Sequence, residues 1–280
     1  MQKLLVMLCG LLMFAGQAYA EHKLLITDVL DAKQMEAEAS FLYSHSSYDF
    51  LNRSVPLSGT VTKNTSGSYY SFDVGLGHGL QVGASIPYLF SDSVKFDYDA
   101  TPLSSQVNKR DGFGDLAIGA KYRIFDENTM PVTVVTGLDV KLNTASVNGA
   151  GTGTTNVSPL FAVSKKIGNG FRPYVAYWPT FRNRGAADTH ALFAGLEKGM
   201  HKRVTLLAEL VAFFNTASDQ VRSNETFGGK LEAYLQVYGN FYVLPAVSAS
   251  FSSSAERKDV NVRLDSSSSI NGILSLYYLF

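Results

Sequence analysis

The sequence predicts an all-β fold: a transmembrane antiparallel β-barrel of about 12 strands, with short periplasmic turns and long extracellular loops. Three observations carry the prediction. The chain ends on an alternating strand, with Phe280, Tyr278, Leu276, Leu274, Gly272 and Ile270 on one face and Leu279, Tyr277, Ser275, Ile273 and Asn271 on the other. An even series of similar alternating segments precedes it. The connections between those segments are short and long in turn.

The alternating segments are expected at 34–44, 69–77, 80–90, 114–125, 131–143, 155–166, 170–180, 189–198, 203–214, 225–237, 240–252 and 268–280. Tight turns are expected at Gly77-His-Gly79, Asp126–Met130, Gly168-Asn-Gly170, Gly199-Met-His201 and Tyr238-Gly-Asn240. Between them lie loops at 45–68, 91–113, 144–154, 181–188, 215–224 and 253–267, rich in Ser, Asn, Gly, Thr and charge. If both termini are periplasmic, these loops face outward from the cell.

The amino terminus reads as a leader. Met1-Gln-Lys3 supplies a short positive start, Leu4 to Ala15 an apolar run, and Ala18-Tyr-Ala20 a small-x-small cleavage site. The expected organisation is a signal peptide over 1–20, a short periplasmic N-terminal segment over 21–33 and a barrel over 34–280. Residues 21–33 could form a short plug at the periplasmic mouth, but a free terminus is the expectation. No later stretch offers the roughly 20 consecutive apolar residues of a membrane-spanning helix. The one cysteine, Cys9, lies within the leader, which leaves the remainder without thiol chemistry. A formal charge of zero excludes a bulk basic field for nucleic acid.

A Lys or Arg on the lipid face near the bilayer centre costs roughly 2–4 kcal/mol, so charges mark the lumen. In 225–237, Phe227, Gly229, Leu231, Ala233, Leu235 and Val237 point out, while Thr226, Lys230, Glu232, Tyr234 and Gln236 point in. In 203–214, Arg203, Thr205 and Glu209 point in; the facing of 170–180 is ambiguous. The expected lumen lining is Glu36, Glu38, Asp73, Asp115, Lys121, Arg123, Asp139, Lys141, Glu197, Arg203, Glu209, Lys230 and Glu232, with Lys166 and Arg172 on the same parity. Hairpin arithmetic sets Glu197 opposite Arg203 and Asp115 opposite Lys141, each as an expected ion pair. Outward aromatics such as Phe41, Tyr43, Phe90, Phe251, Tyr122, Tyr278 and Phe280 read as interfacial girdles.

The closing strand resembles that of bacterial outer-membrane barrels, which commonly end in Phe; this implies outer-membrane lipid and, through that strand, the barrel-assembly machinery as partners. Two segments carry a more specific likeness: Val74-Gly-Leu-Gly-His-Gly-Leu-Gln-Val-Gly-Ala-Ser-Ile-Pro-Tyr88 and Gly112-Phe-Gly-Asp-Leu-Ala-Ile-Gly-Ala-Lys-Tyr-Arg123. They resemble the paired motifs of an outer-membrane family labelled as meta-pathway phenol-degradation proteins or transporters. The resemblance implies passage of small aromatic or other hydrophobic solutes, with no catalytic residues and no cofactor.

The lining is compatible with a porin-like pathway crossed by a transverse field. The alternative is a barrel whose ion pairs and tyrosines close the lumen, leaving a structural or surface-binding role. A membrane-embedded hydrolase is the remaining class. Of His22, His45, His78, His190 and His201, only His190 is expected at an outer strand end, and no G-x-S-x-G, H-E-x-x-H or P-loop pattern is present.

Overall fold

The computed structural model describes residues 25–52, 57–99, 104–107, 111–145, 151–168, 170–218, 222–257 and 262–280. The expected leader, Cys9 and His22 lie outside the described residues. Among the described residues, seventeen strand segments form one sheet. They are β1 (Met35–Asn52), β2 (Leu57–Gly77), β3 (Leu80–Tyr98), β4 (Ser104–Val107), β5 (Gly112–Phe113), β6 (Ala117–Phe125), β7 (Thr133–Lys141), β8 (Asn156–Ser164) and β9 (Phe171–Tyr177), followed by β10 (Phe181–Arg182), β11 (Thr189–His201), β12 (Val204–Asn215), β13 (Asn224–Tyr238), β14 (Phe241–Ser252), β15 (Ala255–Arg257), β16 (Val262–Leu264) and β17 (Ser267–Leu279).

Twelve of these close a ring in the order β1, β2, β3, β6, β7, β8, β9, β11, β12, β13, β14 and β17, and every neighbouring pair is antiparallel. The ring is sealed by β17 on β1, from Glu36 opposite Leu279 to Ser47 opposite Ser268. Phe280 N–H donates to the Met35 carbonyl at 2.7 Å, so the last residue is tied to the first strand. Closure matters because lipid offers no hydrogen bonds, and an open sheet edge in hydrocarbon would leave its backbone groups unpaired.

The alternation sorts side chains as expected. On β17, Ile270, Leu274, Leu276 and Tyr278 face outward and are exposed, while Ser275, Tyr277 and Leu279 are buried inside. On β13, Phe227 and Leu231 are exposed and Tyr234 is buried. The ambiguous strand β9 resolves the same way: Val175 and Tyr177 are exposed, whereas Tyr174 and Ala176 are buried.

The expectations for the loops at 45–68 and 91–113 and for the N-terminal segment need correction; β3 continues to Tyr98, paired with β2 as far as Gly59. The segment 45–68 is mostly not a loop, since β1 continues to Asn52 and β2 starts at Leu57, paired throughout from Met35 opposite Val74 to Asn52 opposite Leu57. Outside the bilayer both faces are wet, so the stretch lacks the apolar alternation that marks a strand. The N-terminal segment is also not free. Leu25, Thr27, Asp28, Val29 and Leu30 are buried inside the barrel.

Candidate functional site

The lumen is built from the inward residues of the twelve strands and from the segment 25–33. That segment begins with a turn in which Leu25 N–H donates to Asp28 Oδ2 at 2.9 Å and Asp28 N–H to the Leu25 carbonyl at 2.8 Å. Leu25 and Leu30 join an apolar cluster with Tyr174, Leu207, Tyr234, Tyr242 and Tyr277 from the wall. Polar ties fix the rest. Leu30 N–H donates to Gln81 Oε1 at 2.9 Å, Lys121 Nζ to the Asp28 carbonyl at 3.0 Å, and Lys33 N–H to the Gly75 carbonyl at 2.9 Å.

The strongest tie is ionic. Arg172 holds Asp28 with both guanidinium nitrogens, at 2.7 and 2.9 Å, and reaches Glu197 at 3.1 Å. All three side chains are nearly excluded from water, so the bidentate fork compensates charges that would be costly alone.

The segment divides the lumen into two cavities. Above it lies one of about 830 Å³ with Leu25 and Ile26 in its lining. Below it, at the short-turn end, lies another of about 970 Å³ lined by Thr27, Asp28, Val29, Asp31, Arg172 and Glu197 among others.

Ten of the thirteen residues expected in the lumen line the upper cavity: Glu36, Glu38, Asp73, Asp115, Lys121, Asp139, Lys141, Glu209, Lys230 and Glu232. Arg123 and Glu197 line the lower one. Arg203 lines neither: it sits exposed in the turn between β11 and β12. The expected Glu197–Arg203 pair is therefore not formed. Strand β11 runs on to His201 and shifts register at Gly199, which sets Glu197 opposite Leu207 and leaves Arg172 as its ionic partner. The other expected pair is present, with Lys141 Nζ 2.6 Å from Asp115 Oδ2.

Asp115 is a hub outside the strands. It also accepts from the backbone N–H groups of Thr144 and Ala145 at 3.1 Å and of Thr152 at 3.0 Å, pinning the β7–β8 connection to the rim. Burial opposes its charge, but Lys141 and these N–H donors prevail and hold the carboxyl below its usual range.

Several lining residues were missing from the sequence-derived set. Trp178, Phe193 and Phe213 face the upper cavity, with ring centroids 6.4 Å apart for Trp178–Phe193 and 6.2 Å for Phe193–Phe213. Parity could have found all three, because Phe193 lies four residues from Glu197, Phe213 four from Glu209 and Trp178 six from Arg172. Asp28 could not have been found this way, since no periodicity governs it.

On the hydrolase alternative, His190 Nδ1 lies 2.7 Å from the exposed Tyr177 hydroxyl at the rim and stacks with that ring. Among the described residues no group of three or more His, Cys, Asp or Glu is placed to hold a metal.

Residues 46–178 match the family described as "Putative MetA-pathway of phenol degradation". That match bears out the resemblance read from the sequence. The matched stretch takes in the paired motifs at Val74–Tyr88 and Gly112–Arg123. Among solved structures, the chain is similar to the COG4313 outer membrane channel from Pseudomonas putida F1, at 14% identity and a TM-score of 0.61, covering 93% of this chain and 100% of that one. The CymD monoaromatic hydrocarbon channel overlaps 91% of this chain and 90% of its own at 12% identity, with a TM-score of 0.45. No curated protein matches the chain. The fold is that of a Gram-negative outer-membrane barrel.

Proposed function

We propose that this barrel gives small hydrophobic or aromatic compounds passive passage across the outer membrane, with residues 25–33 as the barrier that must shift for passage. The observation that carries the reading is the upper cavity, large enough for single-ring solutes and bordered by Trp178, Phe193 and Phe213 rather than by charge alone. The family description, which names phenol degradation, supports this class of solute, and the outer membrane channel among the structural neighbours supports passage through a barrel of this fold. No covalent step is needed: the wall supplies a water-poor route and the plug controls it. The leader at 1–20 and recognition of the closing strand by the barrel-assembly machinery belong to this reading.

A second reading, a barrel closed for good, draws on the Arg172–Asp28 fork. Uptake of labelled p-cresol by Gram-negative cells lacking other channels separates the two. Uptake that rises when the intact protein is expressed, and rises further when residues 25–33 are deleted, supports the channel. Uptake unchanged by the intact protein, though it is inserted, sinks it.

A further inference from the structure

Resting on that reading, the upper cavity has two chemically different walls. One is apolar: Trp178 from the end of β9, Phe193 on β11 and Phe213 on β12 stand in a row of tilted and edge-on rings above Ile26 of the plug, with Leu160 beside them. The other wall runs round the ring from β2, which faces β11, through β3 and β6 to β7, the neighbour of β8 and Leu160. On these strands Asp73, Gly83, Gly119 and Asp139 form one continuous cross-strand row. The two glycines leave room for the flanking carboxylates to lie over them: a Cβ on Gly83 would come within 2.1 Å of Asp73 Oδ1, and one on Gly119 within 1.9 Å of Asp139 Oδ1. Asp73 accepts from Gln81 Nε2 at 3.0 Å. Asp139 has no hydrogen bond or ion pair among the described residues, although Lys121 stands on the neighbouring strand.

The geometry points to a binding station for a single aromatic ring that carries a hydroxyl group, with the ring against Trp178, Phe193 and Phe213 and the hydroxyl donating to Asp139. A bare hydrocarbon would satisfy only one wall and leave the acceptor wall to water. A charged-acceptor hydrogen bond is stronger than a neutral one, so the hydroxyl should gain roughly tenfold in affinity over a matched ring without a donor.

Trp178 is the chain's only tryptophan, so its fluorescence reports on this cavity alone. The folded protein is titrated with benzyl alcohol and with benzyl methyl ether, which differ in the donor hydrogen. Both should give a saturable change, with benzyl alcohol about tenfold tighter. The ratio should fall toward one in Asp139→Leu and take an intermediate value in Asp139→Asn, which keeps an oxygen acceptor without the charge, with heat-modifiable migration in detergent gels showing that each variant folds. Equal affinities in the parent protein, or an unchanged ratio in Asp139→Leu, would overturn the station. No saturable response while p-cresol uptake persists also overturns it and leaves the channel standing. Saturable binding with the expected ratio but no uptake keeps the station and removes the channel.

Discussion

The lower and upper halves of the lumen are built from the same alternating strands, yet they treat charge in opposite ways. Below, the plug brings Asp28 onto Arg172, which also holds Glu197, and the whole set is buried, so each charge has a fixed partner. Above, Glu36, Glu38, Asp73 and Asp139 border a cavity, together with fewer cations and several hydroxyl and aromatic groups. A buried charge must be paired to be tolerated. A charge facing a cavity can be left available for a guest. The difference teaches that one half is organised to stay shut and the other to receive.

Breaking the lower half should have the largest effect. Arg172→Ala leaves Asp28 and Glu197 buried without their shared cation, at a cost of roughly 3–5 kcal/mol. The expected outcome is a lower midpoint in chemical unfolding together with frequent channel openings in planar bilayers. A variant that stays as stable and as silent as the parent would show that the fork does not hold the plug.

A smaller effect is expected at the rim. Asp115→Ala removes the acceptor of three backbone N–H groups and of Lys141, but Thr144 and Thr152 are exposed and water takes over their bonds, so the expected total cost is about 1–3 kcal/mol. Hydrogen exchange at Thr144, Ala145 and Thr152 should accelerate while the barrel strands stay protected. The same anchorage carries a pH signature. Because the folded carboxyl lies below its ordinary value, the stabilisation is present above the usual carboxylate range of about 4 and is lost as pH falls through the depressed value. Protection at those three amides, relative to their intrinsic rates, should persist at mildly acid pH and drop only in stronger acid; loss already near neutrality would contradict the assignment.

The smallest effect is expected outside the bilayer. Lys95→Ala breaks an exposed pair with Asp97 at 2.8 Å and should change stability by about 0–1 kcal/mol, which unfolding curves would show as nearly superimposable. A shift as large as that of Arg172→Ala would mean that the extracellular extension, and not the plug, carries the strength.

That extension also marks the limit of what the chain displays. Strands β1, β2 and β3 run 18, 21 and 19 residues, whereas β6, β7 and β8 run 9 each. About 9–11 residues suffice to cross the membrane. The crossing part was legible because lipid on one side and a polar lumen on the other impose a period of two. The surplus was read as loop, because beyond the bilayer that contrast ends and pairing rests on ladder bonds, on ion pairs such as Lys63–Asp92 and on the Phe50, Phe96 and Tyr98 rings. The lumen set was legible for the same reason as the crossing strands, apart from Arg203, where a one-sided shift at Gly199 moved the turn.

By itself the sequence determined the barrel, its strand number and its inward and outward faces, since each follows from local alternation repeated against two different solvents; the family likeness rests on the paired motifs at Val74–Tyr88 and Gly112–Arg123. Only the tertiary structure decided which charges meet, where the aromatic wall stands relative to Asp73 and Asp139, and that residues 25–33 divide the lumen. Those depend on contacts between segments as distant as Asp28 and Arg172, 144 positions apart. No periodicity within either segment records the other, so the partnership exists only once the ring has closed.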